Sequence, residues 1–219
     1  MYKLPLFPLN TVLFPTTPIR LHIFEERYRL MIGRCIEEQQ PFGVVALESG
    51  EEVERFGGEA VPHLIGCTAV ITEHQRLYDG RMNIVAVGHE RFRILQLDHE
   101  QPYLQGVVEI LSTDMGVNVE TQRASNRLRR WVERYFKLLG RAENVELDTD
   151  RIPHNPVELA YLSASVLRIS VPEKQELLAA QTILELIQRL HPRYRKETTL
   201  LDLLLSTERV REEGPFSLN

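Results

Sequence analysis

Two histidine–glutamate pairs, His89-Glu90 and His99-Glu100, begin like the HExxH motif with which zinc peptidases bind their metal ion. That motif needs a second histidine four residues after the first, and neither pair has one. The pairs are therefore more typical of polar side chains at strand ends. Asp148-Thr149-Asp150 offers two carboxylates to a hard cation, but such a segment between helices is usually just solvated. We expect no metal site and no cofactor.

The residue patterns of two further enzyme classes are also missing. A nucleotide-hydrolysing P-loop needs GxxxxGK followed by Ser or Thr, whereas no lysine of this chain follows a glycine. The GxSxG turn that displays the nucleophilic serine of α/β-hydrolases is absent too. We therefore expect no catalytic residue and neither ATPase nor peptidase activity.

A basic stripe lies along one face of a predicted helix in the second half of the chain. Its members are Arg123, Arg127, Arg130, Arg134 and Lys137. Arginines in such a row can neutralise the phosphates of RNA, so a nucleic-acid site is one interpretation. Glu120 and Glu133 lie close by and the net charge is -5, which favours the other interpretation, a solvated helix face. RNA binding is thus the alternative function and not the expected one.

The elements that would position these side chains change in kind along the chain. Up to about residue 115, Pro and Gly punctuate short runs of β-branched and aromatic residues, which indicates strands. The predicted strands are 11–14, 19–23, 42–47, 65–76, 81–87, 92–97 and 103–111. About seven strands are enough for a closed or nearly closed β structure.

Three local patterns refine this first half. Asp79-Gly80 supplies the positive φ of a tight turn and predicts a hairpin between the runs 65–76 and 81–87. Apolar residues at helical spacing predict one helix over 25–40, which Pro41 ends. The polar, glycine-containing stretch 48–59 is predicted to be a mobile loop.

After Gly116 the patterns are helical, so we predict a domain boundary there, with domains 1–115 and 116–219. An apolar stripe predicts a helix over 120–139, with Gly140 at its C-cap. Asn155-Pro156 and Ser170-Val171-Pro172 are typical of capped helix starts. A further helix is predicted over 179–190, and Pro192 should start or kink the last one.

Composition sets the class of protein. The chain has 219 residues, of which 43% are hydrophobic and 26% charged, as in soluble proteins that bury a core. No run approaches the roughly 20 apolar residues that a membrane span requires, and prolines interrupt the N-terminus where a signal peptide would be apolar. We expect a cytoplasmic protein without membrane contact. Cys35 and Cys67 form no CxxC pair and are expected to be buried, reduced thiols.

A surface near the N-terminus could bind peptide. It would bear Pro8, Phe14 and Pro15 beside an edge strand, and prolines suit the edges of sheets. An extended peptide can add to such an edge and insert alternate side chains into apolar pockets. The candidate peptide-binding residues are Pro8, Phe14, Pro15, Ile19, Phe24 and Tyr28. The competing interpretation is that these side chains belong to the core.

Several motifs in fixed order resemble the Lon protease N-terminal, substrate-binding domain family, in particular its stand-alone bacterial members. They are LPLFPLNTVLFP (4–15), LHIFEERYRLMI (21–32), FGVVAL (42–47), IGCTAVI (65–71), DGRMNIVAVGHERFRI (79–94), PYLQGVVEIL (102–111) and PEKQELLAA (172–180). One departure is visible. The family often has glycine after the FP of the first motif, whereas this chain has FPTTP.

The resemblance implies an α+β fold, with a PUA-like β-barrel-type domain containing one helix, followed by a C-terminal helical bundle. It also implies a non-catalytic module that binds unfolded or hydrophobic polypeptides in protein quality control. In Lon, separate ATPase and Ser-Lys peptidase domains follow this region, and neither is found in these 219 residues. A protease or chaperone partner and a homodimer are further expectations, because repetition of a weak site raises its avidity.

Overall fold

The computed structural model of the chain describes residues 1–49, 61–112 and 117–212. The predicted boundary after residue 115 lies outside the described residues, as does most of the predicted loop 48–59. The division into domains 1–115 and 116–219 stays a prediction.

The chain forms two compact units. Unit 1 comprises Met1–Asp114 together with Ala164–Gln181, and unit 2 comprises Met115–Ser163 together with Thr182–Asn219. Each unit is thus built from two separate stretches of sequence.

Unit 1 contains a mixed sheet of seven strands. The strands are β1 (Tyr2–Leu9), β2 (Pro18–Ile23), β3 (Phe42–Ser49), β4 (Val61–Pro62), β5 (Ile65–Arg76), β6 (Met82–Asp98) and β7 (Gln105–Ile110). Pairing runs from β1 through β7, β6 and β5 to β3, and a parallel pairing joins β3 to β1 again. β2 lies off this path and pairs with β6.

Two expectations about the strands were wrong. Residues 11–14 are not a strand, and the preceding residues Tyr2–Leu9 form β1 although they include two prolines. β1 contributes side chains to both apolar clusters of unit 1, so it lacks the alternation that marks a half-buried strand. The predicted strands 81–87 and 92–97 are parts of one long strand, β6.

Other expectations about unit 1 were confirmed. The hairpin of β5 and β6 turns through Asp79-Gly80, where Gly80 has a φ of 80°. The predicted helix is α1 (Glu26–Glu37), and Cys35 and Cys67 are buried and reduced. The larger apolar cluster unites α1 with β1, β2, β3, β5 and β6, and the smaller one lies among β1, β3, β6 and β7.

The second stretch of unit 1 contains helix α4 (Val171–Leu178), which hydrogen bonds attach to the sheet. Ser170 and Glu173 form the capping box that the sequence predicts. At the other end, the buried Arg91 of β6 donates hydrogen bonds to the carbonyl oxygens of Leu178, at 2.7 Å, and Ala180. Arg91 therefore supplies hydrogen bonds to carbonyl groups at the end of the helix, which have no donor within the helix.

Unit 2 is helical. It contains α2 (Val119–Glu143), a short 3-10 helix (Thr149–Arg151), most of α3 (Pro156–Val166) and α5 (Ile183–Glu212). The rings of Tyr135 on α2 and Tyr194 on α5 meet edge to face at 5.4 Å. The buried Tyr194 hydroxyl donates a hydrogen bond to the Ser163 carbonyl oxygen.

Two helix boundaries in unit 2 differ from the prediction. Gly140 is not a C-cap but lies inside α2, where a Cβ would stand 2.6 Å from the Val145 carbonyl oxygen. Asn144 takes the left-handed cap conformation instead, with a φ of 52°. Pro192 lies within the single helix α5, so residues 179–190 and the last predicted helix are not separate elements.

Thr16 stands where the family often has glycine, and its backbone has a φ of 63°. This leads to a testable prediction. A β-branched residue in the left-handed region is strained by about 1–3 kcal/mol, and glycine removes that strain at a smaller entropic cost. We expect Thr16→Gly to raise the free energy of unfolding by about 1 kcal/mol in urea denaturation, and Thr16→Ala by less. Thr16 is exposed, so little packing is lost. A glycine variant no more stable than the parent would contradict this reading of the turn.

Candidate functional site

The six residues predicted to bind peptide do not share one surface. Phe14 is fully buried at 0% exposure, and Pro8, Pro15 and Tyr28 are buried as well. Ile19 is half-buried in β2, whereas the side chain of Phe24 is 53% exposed. Their role in peptide binding stays a prediction. Of the six, Phe24 is the one that offers a substantial apolar surface to a ligand.

Phe14 belongs to a turn that hydrogen bonds hold in place. Its carbonyl oxygen accepts a hydrogen bond from the Thr17 hydroxyl at 2.7 Å, which closes the turn before β2. The Thr16 amide donates to the Gly88 carbonyl oxygen at 2.8 Å and so joins this turn to β6. A substitution at Phe14 would therefore test folding before it tested binding.

An apolar cavity of about 180 Å³ lies where Phe24 meets the body of unit 1. It is lined by Phe7, Leu9, Arg20, Leu21, His22, Ile23, Phe24, Glu25 and Tyr28. Strand β1, strand β2 and the start of α1 thus each contribute a wall. Phe24 and Tyr28 were candidates from the sequence, and the structure brings both to this cavity.

The aromatic wall of the cavity is held rigidly. The rings of Phe7 and Tyr28 stack with their centroids 4.1 Å apart, and the guanidinium of Arg27 lies over the Tyr28 ring at 4.6 Å. Arg27 also forms an ion pair of 3.0 Å with Glu25. An apolar side chain that entered the cavity would meet a preformed surface, which lowers the entropic cost of binding.

Sequence reasoning did not identify several lining residues as functional. In the sequence, Leu21 and Ile23 alternate with polar residues, as in a half-buried strand, and Phe7 is one of many apolar residues typical of a core. Alternation shows which side of a strand is buried, but it does not show where a neighbouring strand is missing. No pattern in the sequence marks the gap between β1 and β2 that forms this cavity.

A larger and more open depression of about 630 Å³ lies on three adjacent strands of unit 1. Its lining residues are Arg20, Leu21, His22, Glu73, His74, Gln75, Asn83, Ile84 and Val85. His22 Nδ1 is 2.7 Å from Asn83 Oδ1, and the His22 ring stacks on Phe24 at 6.2 Å. Six of its nine lining residues are polar or charged, and it shares β2 with the apolar cavity.

Neither cysteine of the chain is a reactive thiol. Burial raises the pKa of the Cys35 and Cys67 thiols to about 12, so neither is a thiolate nucleophile at neutral pH. Across the described ranges, no three His, Cys, Asp or Glu side chains gather into a metal-binding group. His89 and Glu90 are exposed, and His89 Nδ1 lies 3.5 Å from the Glu90 carboxyl group. In the same ranges no helix has the length and apolar character to cross a bilayer.

The arginines of the basic stripe lie exposed along α2. They are Arg123, Arg127, Arg130 and Arg134. Arg134 forms an ion pair of 2.7 Å with Asp202 of α5 and lies over the Trp131 ring at 6.0 Å, so part of its charge is already compensated. The exposed face agrees with a solvated helix surface and does not by itself favour a nucleic-acid site.

The sequence is similar to one known family. Residues 3–192 match the ATP-dependent protease La (LON) substrate-binding domain. The Lon protease of Anaeromyxobacter dehalogenans (strain 2CP-C) is 25% identical over 195 residues, which are 85% of this chain and 23% of that protein. Lon protease 2 of Syntrophobacter fumaroxidans (strain DSM 10017 / MPOB) is 28% identical over 180 residues, covering 80% of this chain and 22% of that protein. The chain spans about a quarter of the length of these curated relatives.

Two solved structures share the fold. The Lon N-terminal domain protein from Xanthomonas campestris has a TM-score of 0.64 and 23% identity, over 87% of this chain and 97% of that chain. The N-terminal domain of the Mycobacterium avium complex Lon protease has a TM-score of 0.67 and 15% identity, over 89% and 98% respectively. At these identities the likeness concerns the fold, which is α+β as expected.

Proposed function

Since this chain belongs to the ATP-dependent protease La (LON) substrate-binding domain family, we propose that it is a recognition module for unfolded or hydrophobic polypeptide segments. The observation that carries the proposal is the apolar cavity beside β2, with Phe24 exposed among its lining residues. A protein in quality control must distinguish unfolded chains from folded ones, and exposed apolar side chains are what unfolded chains present. The cavity offers such a side chain a rigid aromatic wall.

We further propose that the module is not an enzyme. The two cysteines are buried, protonated thiols, and the family match concerns the substrate-binding domain of Lon. The resemblance to this family implies a domain that binds polypeptides and does not catalyse a reaction. A protease or chaperone that receives the bound polypeptide, and a homodimer that doubles the sites, remain proposals of the same kind.

We infer that the sheet of unit 1 is a PUA-like barrel and that unit 2 is a small helical bundle. The support for the barrel is that β1 pairs with β7 through residues 2–5 and with β3 through residues 6–9. A sheet whose path returns to its first strand leaves few open edges, and open edges invite aggregation. β2 and the two-residue strand β4 lie outside this closed path.

The proposal is tested by substitution of Phe24. We expect Phe24→Ser to weaken binding of an unfolded model protein about tenfold, because a well-placed aromatic anchor contributes more than 1 kcal/mol to an interface. The starting affinity should be about micromolar, since a flexible peptide loses entropy on docking. Isothermal titration calorimetry on the full chain measures both values.

Leu64→Ser is the matched control for this experiment. Leu64 is 62% exposed, so it is also an apolar surface residue of unit 1, but it is not among the residues that line the cavity. Circular dichroism should show both variants folded. Equal loss of affinity in the two variants, or none in Phe24→Ser, would place the binding surface elsewhere.

A further inference from the structure

Strand β2 has one paired side and one open side. All six of its residues pair antiparallel with β6, from Pro18 opposite Val87 to Ile23 opposite Met82. Among the described residues β2 pairs with no other strand. An edge strand of this kind presents main-chain donors and acceptors that another extended chain can use.

The hydrogen bonds of β6 show which residues of β2 face the open side. The Leu77 amide donates to the Arg81 carbonyl oxygen at 2.8 Å, so Arg81 directs its main-chain groups toward β5. The Gly88 amide donates to the Thr17 carbonyl oxygen at 3.0 Å, so Gly88 directs its groups toward the β2 side. Because the direction alternates along a strand, the even-numbered residues of β6 between these two points also face β2.

The partners of those even-numbered residues follow from the register. Met82, Ile84 and Ala86 of β6 lie opposite Ile23, Leu21 and Ile19 of β2. The main chain of Ile19, Leu21 and Ile23 therefore faces β6. Arg20 and His22, between them, direct their N–H and C=O groups to the open side of β2.

The apolar cavity lies on this same open side. Its walls come from β1, β2 and the start of α1, and no residue of β6 lines it. Its volume of about 180 Å³ is below the 300–1,000 Å³ that small-molecule sites usually have, so it suits one apolar side chain rather than a cofactor. An open strand edge and a pocket for one side chain thus lie next to each other.

We propose that the polypeptide ligand binds in extended form as an additional strand on the open edge of β2. This rests on the proposed polypeptide-binding function and specifies its ligand. The ligand main chain hydrogen-bonds to Arg20 and His22, and one apolar side chain enters the cavity that Phe7, Leu21 and Tyr28 help to line. The ligand class is therefore a segment in β conformation with apolar residues at alternate positions.

The two faces of β2 explain the alternation. Leu21 and Ile23 point toward the apolar cluster of unit 1, whereas Arg20 and His22 are exposed. The side chains of an added strand alternate in step with those of its neighbour, so one set meets the cavity and the other set lies beside polar groups. An α-helix would fit this site less well, because its N–H and C=O groups already hydrogen-bond to each other within the helix and cannot pair with the edge of β2.

The test uses the full chain and a short fluorescent peptide of alternating threonine and valine with one central phenylalanine. Two further peptides carry N-methyl groups on alternate residues, one on the odd set and one on the even set. Only one edge of the peptide can face β2, so one methylated peptide should lose at least about tenfold in affinity and the other should bind like the parent. Fluorescence anisotropy gives the three dissociation constants.

Two protein variants test the same hydrogen bonds from the side of β2. Arg20→Pro removes the N–H that faces the ligand but no hydrogen bond to β6, and proline is tolerated in edge strands. We expect it to weaken the parent peptide about fivefold or more, and to weaken it more than Arg20→Ala does, because the alanine variant loses the side chain but keeps the N–H.

The outcomes separate this inference from the function on which it rests. Equal affinity of all three peptides would overturn strand addition while leaving polypeptide recognition intact. Failure of the unmodified chain to bind both the parent peptide and an unfolded protein would overturn both. If Arg20→Pro is not folded by circular dichroism, the methylated peptides still decide the matter, because they use the unmodified protein.

Discussion

Replacing Gly88 with alanine is expected to remove about 3 kcal/mol or more from the free energy of unfolding. A Cβ at this position would overlap the carbonyl oxygen of Phe14 and stand 2.9 Å from its carbonyl carbon. It would also stand 3.2 Å from the Cys67 Sγ. The nearest atoms are backbone, which cannot turn aside as a flexible side chain does.

The same contact joins the turn before β2 to β6. Gly88 accepts a hydrogen bond from the Thr16 amide and donates one to the Thr17 carbonyl oxygen. Pushing Phe14 away from Gly88 would lengthen both bonds and shift the start of β2. We therefore expect Gly88→Ala to weaken polypeptide binding as well, even under conditions in which the variant remains folded.

Gly33→Ala is the control for the stability measurement. Gly33 lies inside α1, and the nearest atom to an added Cβ is the flexible end of Arg76 at 3.9 Å. Alanine is favoured over glycine in a helix by about 1 kcal/mol, so this variant should be more stable than the parent. Urea denaturation followed by far-UV circular dichroism compares the two. Similar stability changes for both glycines would mean that the approach of Phe14 to Gly88 is not as close as the structure has it.

Arg91→Met is expected to destabilise unit 1 by about 3 kcal/mol. Arg91 is 5% exposed, and its guanidinium donates hydrogen bonds to the carbonyl oxygens of Leu178 and Ala180. Hydrogen bonds from a charged group contribute about 1.5–3 kcal/mol each, and methionine would leave both carbonyl groups without this donor. Far-UV circular dichroism in urea again measures the change.

Arg93→Met is the matched control, because Arg93 belongs to the same strand but is exposed and lies opposite Glu109 of β7. We expect a cost of less than about 1 kcal/mol for it, as for other cross-strand charge pairs. An equal effect of the two substitutions would show that the carbonyl contacts of Arg91 contribute little. If Arg91 acts as expected, a fragment of residues 1–115 should be less stable than one that also contains the segment 164–181.

Local patterns in the sequence predicted the parts of the fold that short-range interactions determine. The Asp79-Gly80 turn, the apolar stripe of α1 and the capping box at Ser170 and Glu173 each involve residues only a few positions apart. The cap at Asn155 was confirmed in the same way, since its side chain accepts from the amides of Val157 and Glu158. These signals depend on the φ preferences of single residues and on the spacing of apolar residues, and both are set by residues that are close in sequence.

The candidate site was predicted less completely, because its residues are brought together by long-range pairing. Phe14 and Phe24 look alike in the sequence, yet one is 0% and the other 53% exposed. The Phe14 backbone lies against Gly88, which is far along the chain in β6. No periodicity within residues 14–24 contains that information.

By itself the sequence determined the α+β class, the family, the alternation of β2 and the absence of the HExxH, P-loop and GxSxG motifs, all of which are local patterns or their order along the chain. Only the tertiary structure decided that β2 has an open edge and that a cavity lies beside it. It also decided that the segment 164–181 joins unit 1. The physical reason is that pairing, burial and the gaps between elements depend on which distant segments meet, and local backbone preferences do not specify those meetings.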